Sequence, residues 1–595
     1  MSSKRWRLPS PLDAELTHKF PEIDQTVFRL LVNRGVDTEE KIHDFFNPDY
    51  ERSLNDPYLF LQMTEACERV WRAVDGGERV IVYGDYDADG VSGATVLVST
   101  FRSVAEARGK DPELFQAYFP HREKEGYGVR AEAVRQFAER GFTLMVTVDC
   151  GIGNAEEVEL AKSLGIDSIV VDHHQVPERV PDCITLHPLV EGETYPYKCL
   201  AAVGVAYKFA VGFVRYAEER DVELEPGFDK WLLDLVSIAT VTDIMPLVGE
   251  NRALEKYGLI VLNKTKRPGL KRLIEKAGLK FGELDTVSVG FYIGPRINAA
   301  SRMDHAEVAF HCLMAGDERA ADHYAEQLNK CNVDRQKYTE QIFTQARSEI
   351  LSRSDDKKAI CVAGEGWSAG VVGIVAGRLV SEFGVPAFVF GGEGGKYVGS
   401  GRSIPEFNVI DAMNQASEHL ARFGGHPQAC GLTIEGRENY EAFRSSLERY
   451  AEGRLQGMDL RPAIDVDVEL PLREVTWDLI NWLVKFEPHG EGNPKPKFLI
   501  RDLKVTAAHI IGKNKNTLRL GVRGDGVPRE IKVIGFGMAK RAGEVSPGAT
   551  VDLVVELGIN EWNGRKEIQF RLIDAKPAGE FVSEKRVSEK LLEAA

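Results

Sequence analysis

The sequence predicts a multidomain α/β protein that closes with a small β-barrel, and three patterns along the chain predict it. Short, nearly continuous apolar runs at RVIVY (79–83), FTLMVTV (142–148) and DSIVV (167–171) alternate with helical stretches such as GVSGATVLVSTFRSV (90–104) and NAEEVELAKSLG (154–165). Runs without polar alternation mark parallel strands covered on both faces. Residues 306–353 carry a helical pattern with no proline and a single early glycine, Gly316; a helix of that length more often joins domains than sits inside one. From about 462, apolar and polar residues alternate between turn signals such as Gly-Asp-Gly and Asn-Gly, giving five or so strands, the pattern of an OB-fold barrel.

Element by element, residues 1–60 read as a helical preface, in which LLVNRGVDTEEKIHDFF has helical spacing and Asn47-Pro48 ends it. Residues 61–305 form the first α/β unit, 306–355 the connecting helix, and 356–458 a second α/β unit with KAICVAG and VPAFVFG as strands around VVGIVAGRLVSEFG. Glycine then clusters in GGEGGKYVGSGRS (391–403) and FGGHPQACG (423–431), which composition reads as loops. The barrel takes 459–576, and 577–595 is a helical or frayed tail.

Hydrophobic residues at 43% and charged residues at 28% are ordinary for a globular chain. No apolar run is long enough to span a membrane, and MSSKRWRLPSPLDAEL has no secretory core, so a cytoplasmic address and no membrane partner are expected. Eight cysteines without a CxxC pair fit a reducing compartment and argue against structural zinc. Cys150 reads as a small buried residue. The net charge of −16 argues against nucleic acid on average, although a carboxylate-rich metal site is itself negative and a basic groove can coexist with an acidic exterior.

Each apolar run of the first unit ends in acids: Asp85, Asp149 and Asp172. Ligands of open α/β sheets bind beyond the carboxyl ends of the strands, so these acids should converge at one edge. Asp85-Tyr-Asp87-Ala-Asp89 puts carboxylates at alternate positions, which face one way in an extended segment, with Gly84 and Gly90 allowing a tight turn. A calcium loop would also need a glutamate six residues after its glycine, where Val96 stands. Asp172-His173-His174 adds two imidazoles, with Asp172 placed to orient one of them, and Asp243 in ATVTDIMPL is a plausible last ligand. Oxygen-rich mixed ligands suit two manganese or magnesium ions, which activate water for phosphoryl hydrolysis.

These residues bring the chain to a resemblance. YGDYDADGVSGATVL, FPHREKEGYGV, VTVDCGIGN, VVDHHQ, LAAVGVAYK, TVTDIMPL, GPRINAASRM, GVVGIVAGRL, GSGRS, FGGHPQACG and HGEGNPKPKF occur in order, and together they resemble the DHH phosphoesterase superfamily. Within it they are most similar to bacterial single-stranded-DNA exonucleases acting from the 5′ end in DNA repair and recombination. The resemblance implies a parallel-sheet DHH domain, a DHHA1-type domain and an OB-fold. It implies that Asp87, Asp89, Asp149, His173 and Asp243 hold metals, that Asp85 sits beside them, and that His174 contacts the scissile phosphate. It places Arg402, Ser400, Gly425 and His426 at the DNA 5′ end and Arg296, Asn298 and Arg302 along the cleft; Arg122 and Tyr127 are further candidate DNA or phosphate contacts. Single-stranded DNA is the implied partner, with a single-strand-binding protein and a helicase as protein partners. The chain departs from the family pattern at His121 and His187, where asparagine is expected, at Ala202 for glycine, and at Ser368 for histidine.

Tyr127 in the EGYG turn could stack on a base or pack locally; Trp562 in EWNGR reads as local packing. The competing functions are a phosphodiesterase of the same superfamily for short oligonucleotides or cyclic dinucleotides, against which the strands after 462 speak, and a scaffold with a decayed site, against which the complete ligand set speaks.

Overall fold

A computed structural model describes residues 4–12, 19–353, 358–524, 526–562, 564–579 and 584–585, the side chains of 562 and 584–585 excepted. Trp562's side chain and most of the expected tail therefore lie outside the described residues.

The first unit is built on five strands, all paired in parallel, in the spatial order Phe115–Tyr118, Arg79–Gly84, Phe142–Val148, Asp167–Val171, Ile184–Leu186. Val80, Val82, Leu144, Val146, Ile169 and Val171 feed one apolar core, and Ile81, Tyr83 and Met145 another on the opposite face. That double coverage is why the runs read as continuous apolar stretches.

The connecting helix begins later than its periodicity suggests. Glu307–Met314 is a separate helix, the chain breaks at Ala315-Gly316, and the long helix runs from Glu318 to Ser352. Asp317 supplies the new start by accepting from the amides of Arg319 and Ala320.

The second unit carries a mixed sheet, ordered Arg422–His426, Ala429–Glu435, Lys396–Arg402, Ala387–Glu393, Ile360–Glu365, in which only the last two strands are parallel. The glycine clusters are strands here, not loops. A Cβ on Gly399 would fall 2.3 Å from the Phe390 ring and one on Gly401 2.7 Å from that of Phe388, so glycine is what lets the strand lie under those rings.

The barrel closes from Lys497–Ile511 through Thr517–Arg523, Ile531–Gly535, Arg565–Pro577 and Thr550–Trp562 back to the first strand, the five-stranded closure of an OB-fold. The preface is not free-standing: Val27, Phe28, Leu31, Ile42 and Phe45 share the barrel's core with Phe498 and Leu520. It also holds a strand, Arg5–Leu8, paired with Ala463–Asp465. A helix unanticipated from sequence, Trp477–Val484, packs in the same core.

Arg252, 2% exposed in the first unit, ties the pieces together. Its guanidinium donates to the carbonyls of Phe45, Lys485, Phe486, Glu487 and Pro488 at 2.9–3.4 Å.

Candidate metal centre and nucleic-acid cleft

The Asp85–Asp89 segment does not stay extended. Asp87 caps the helix Ala88–Ala107, accepting from the amides of Asp89 at 2.8 Å and Gly90 at 3.2 Å, and Asp89 already lies in the first helical turn. The three acids converge because a strand passes sharply into a helix, not because alternate residues face one way. Gly90 is required for close approach: a Cβ there would fall 2.4 Å from the carbonyl oxygen of Asp85.

Both Asp89 oxygens accept from amides at the start of the helix Ala202–Glu218, those of Ala202 and Val203, at 2.8 Å each. The Ala202 contact is made by backbone, which alanine supplies as well as glycine. Asp149 leaves its strand at φ 62°, a left-handed position that aspartate tolerates. Asp243 caps the carboxyl end of the helix Leu233–Thr242.

These turns assemble three sets of ligand atoms, each within 4.8 Å: Asp85, Asp87 and Asp149; Asp89, His173 and Asp243; and Asp149, His173 and His174. His173 Nε2 joins them, 3.3 Å from Asp149 and 3.5 Å from Asp243. Burial, with the neighbouring carboxylates, pushes Asp89 up to about 7 and Asp243 up to about 9, and raises Asp85 and Asp149 well above the usual range. Burial holds His173 down at about 4, so its imidazole is neutral. Its Nε2 and Asp85 Oδ1 are buried without a hydrogen-bond partner, and among the described residues no lysine or arginine pairs with these five aspartates. Orphaned acceptors around crowded carboxylates fit divalent cations, and oxygen donors with one imidazole fit manganese or magnesium.

His174 also lies near Asp149, at 3.7 Å, but its Nδ1 is taken by Asp172 at 2.8 Å. Burial opposes its charge, yet the Asp172 bond holds the imidazole up at about 9. Asp172 thus favours the charged form of His174, whose side chain is partly exposed, while burial favours the neutral form of His173. Asp172 orients His174 and not the metal-facing ring. His187 Nε2 lies 2.8 Å from the His174 carbonyl while its Nδ1 accepts from Leu189, so it braces the His174 backbone. Tyr127 donates to the Asp149 carbonyl at 3.2 Å, its ring 5.5 Å from that of His174.

Beside the acids lies a cationic cluster. Arg122 stacks over Tyr86 at 4.5 Å. Burial holds Arg302 down at about 9, with Arg122, Arg335 and Arg402 pressing on it. Arg302 donates to the Gly370 carbonyl at 2.6 Å, joining the two α/β units. Arg402 and Ser400 lie against Gly373 of the helix Ala369–Phe383, where a Cβ would come 3.0 Å from the guanidinium. Arg402 thus stands at a strand end, not on a glycine-rich turn. Arg296 is held toward the long helix by Asn329 at 3.2 Å. Asn298 is occupied differently from expectation: its Oδ1 accepts the Ala88 amide at 2.7 Å, fixing the Asp87 turn. Gly425 and His426 face His174 and Tyr127 across a groove of about 870 Å³. Ser368 donates to Glu123 at 2.7 Å, a second bridge between the units.

Arg335 and Arg422 were not legible as site residues. Arg335 sits in a helix of unbroken periodicity, and its half-buried guanidinium, with Nε unpartnered, comes beside Arg302 only through tertiary packing. Arg422, on the groove wall, belongs to a stretch whose pairing glycine content obscures.

A parallel sheet that gathers five aspartates and a neutral histidine at its carboxyl edge, beneath a cleft lined with arginine, defines a metal-dependent phosphoesterase. The model of the DHH family N-terminal domain matches residues 79–240, that of the DHHA1 domain 355–453, and that of the RecJ OB domain 466–574. The chain is 36% identical over 580 residues to the single-stranded-DNA-specific exonuclease RecJ of Bacillus subtilis, covering 96% of this chain and 71% of that protein. It is 31% identical to the Escherichia coli RecJ, over 92% of this chain and 95% of that one. The crystal structure of Thermus thermophilus RecJ in complex with Mn²⁺ superposes with a TM-score of 0.80 at 27% identity, covering 98% of this chain and 81% of that chain. The chain belongs to the RecJ family of single-stranded-DNA-specific exonucleases.

Proposed function

We infer that this chain is a metal-dependent exonuclease that hydrolyses single-stranded DNA from its 5′ end, with Mn²⁺ or Mg²⁺ as cofactor, in DNA repair and recombination. The observation that carries the reading is the juxtaposition of the two-part carboxylate site with the Arg122, Arg302 and Arg402 cluster in one cleft. Asp85, Asp87 and Asp149 would hold one ion, and Asp89, His173 and Asp243 the other, with Asp149 close enough to His173 to serve both. When bound, such ions supply Lewis acidity and a nucleophile at neutral pH.

The chain's own residues do the rest. His174, held cationic by Asp172, donates from Nε2 to the scissile phosphate and stabilises charge growing on its oxygens. Asn298 keeps the Asp87 turn in register. Arg122, Arg402 and Ser400 form the 5′-phosphate seat, guanidinium groups being suited to bidentate phosphate contact, and Gly425 and His426 close the facing wall. Arg296 and Arg302 line the cleft floor. In this division of labour residues 61–305 hydrolyse, 356–458 hold the end, and 459–576 hold the strand.

No helix among the described residues is long and apolar enough to cross a membrane. All eight cysteines are free thiols, which supports a reducing, cytoplasmic setting. An enzyme restricted to single strands needs them unwound and kept open, which makes a helicase and a single-strand-binding protein its expected partners. The test is cleavage of 5′- and 3′-labelled single strands with and without manganese. Metal-dependent release of the 5′ label as mononucleotide supports the reading. Equal turnover of circular and linear strands sinks it.

A further inference from the structure

Residues 121–126 follow the strand Phe115–Tyr118 and carry Arg122. The loop is folded on itself. The His121 Nδ1 accepts from the amides of Glu123 at 3.2 Å and Lys124 at 3.4 Å, the kind of turn that asparagine makes with its side-chain oxygen. His121 therefore does what the asparagine of the family pattern would do there. Glu125 closes the other side, accepting from the His121 amide and the Tyr118 hydroxyl at 2.6 Å each. Arg122 in turn stacks over Tyr86, which stands between Asp85 and Asp87 of the metal centre.

The loop's other anchor comes from the second unit, at the second departure from the family pattern. Ser368 caps the helix Ala369–Phe383, its hydroxyl oxygen accepting the Gly370 amide at 3.0 Å. The same hydroxyl donates to Glu123 at 2.7 Å. The cap bond occupies a lone pair and leaves the hydrogen for the carboxylate. Tyr338 of the long helix holds Ser368 from behind, accepting its amide at 3.2 Å while donating to the Gly366 carbonyl at 2.6 Å. Gly370 lies against the backbone of Arg302, where a Cβ would come 3.1 Å from the carbonyl oxygen. Ser368 is thus fixed in place and in direction. Among the described residues the Glu123 carboxylate has no other hydrogen-bond or ion-pair partner.

We propose that Ser368 and Glu123 are a positioning pair through which the second unit sets the place of Arg122. This rests on the reading of Arg122 as part of the 5′-phosphate seat and adds what holds it there. Neither side chain of the pair touches DNA. Glu123 directly follows Arg122, so slack in the anchor passes to the guanidinium, and bidentate phosphate contact depends on its orientation. Arg402 and Ser400 of the seat come from the second unit and Arg122 from the first. The seat is complete only when the units are in register, and the pair fixes that register at the loop itself.

The test measures KM of the full chain with manganese on 5′-phosphorylated and 5′-hydroxyl single strands of one sequence. Wild type should favour the phosphorylated strand. Ser368→Asp keeps a helix cap but sets carboxylate against carboxylate. It should raise KM on the phosphorylated strand roughly tenfold and leave the 5′-hydroxyl strand within about twofold, with Tm unchanged. Glu123→Gln alone should change little, because serine also donates to an amide oxygen. In the Ser368→Asp background it should restore the phosphorylated-strand KM, its amide now donating to the aspartate. Unchanged KM in Ser368→Asp, an equal rise on both strands, or no rescue by Glu123→Gln would overturn the pair, while a wild-type preference for the phosphorylated end still upheld the seat. A wild type indifferent to the 5′ phosphate would overturn the seat and the pair with it.

Discussion

Asp172 accepts the Nδ1–H of His174 at 2.8 Å, and its other oxygen is held by the Ile152 amide at 3.1 Å. The pair decides which of two adjacent imidazoles carries charge. Burial would raise Asp172, but the His174 bond keeps it at about 2 from a usual 3.8, while His174 rises from 6.5 to about 9. The raised His174 contributes stability in full below pH 6.5 and loses it as pH rises through 9; the depressed Asp172 contributes above 3.8 and loses it as pH falls through 2. At saturating magnesium, kcat should fall on an alkaline limb set by loss of the His174 proton, at a pH above 6.5 because the Asp172 bond favours the charged ring. In Asp172→Asn the falling limb should move toward pH 6.5 and kcat should drop about 10- to 100-fold. An unshifted limb in that variant would show that His174 is not the donor.

Asp243 and Asp89 make the opposite kind of statement. Burial raises both, to about 9 and about 7 against a usual 3.8. Without metal, their contribution to stability is complete below pH 3.8 and lost as pH rises through 7 and 9. The chelated chain should therefore melt at lower temperature as pH rises over that range. Manganese at 100 times its Kd should restore about 2.7 kcal/mol, release protons on binding, and flatten the pH dependence. Calorimetric titration in buffers of different ionisation enthalpy measures those protons. Asp149→Ala should abolish cleavage, and the manganese-induced rise in Tm with it, while leaving single-strand binding within about twofold of wild type, since phosphate contacts dominate affinity.

Asn298→Ala separates a support role from a DNA contact. The variant leaves the Ala88 amide without its acceptor and frees the Asp87 turn. Manganese affinity and kcat should fall about 10- to 100-fold together, with the Kd for single-stranded DNA in chelator unchanged. A weaker Kd with normal manganese affinity would return Asn298 to the DNA path.

What could be read beforehand follows from where the physics is local. Val146 and Ile169 read as parallel strand because a strand covered on both faces needs no polar alternation. The acids at the strand ends read as a site because strand ends are where open sheets bind. Gly399 and Gly401 misled, since a glycine that admits the Phe388 and Phe390 rings looks, in sequence, like one that frees a loop. Arg335 was invisible because a cation on a regular helix carries no mark until packing brings it beside Arg302. Asn298 was seen, but as a DNA contact; its acceptor role depends on an amide 210 positions away.

Arg252 decides whether the barrel acts as part of the machine or merely follows it. It is buried in the first unit, lies 4.0 Å over the Phe45 ring, and donates to five carbonyls spread over the preface and residues 485–488. Methionine there keeps much of the apolar contact but removes the donor to the carbonyls of Phe45, Lys485 and Glu487, while those of Phe486 and Pro488 keep the Asn493 side-chain amide at 2.7 and 2.9 Å. Each charged hydrogen bond is worth about 1.5–3 kcal/mol, and several carbonyls find other partners or water, so Arg252→Met should cost about 3 kcal/mol. Because the loss falls at a junction and not inside one core, calorimetry should resolve two transitions where wild type shows one. Hydrogen exchange should quicken at 485–488 and across the preface helices, while the strand Phe142–Val148 stays protected. Dinucleotide hydrolysis should persist, because the metal-facing residues all lie in the first unit, whereas long-strand KM should rise because the barrel loses its fixed position beside that unit. A single transition with unchanged long-strand KM would mean that the barrel is held by apolar contacts alone and that Arg252 only fills space.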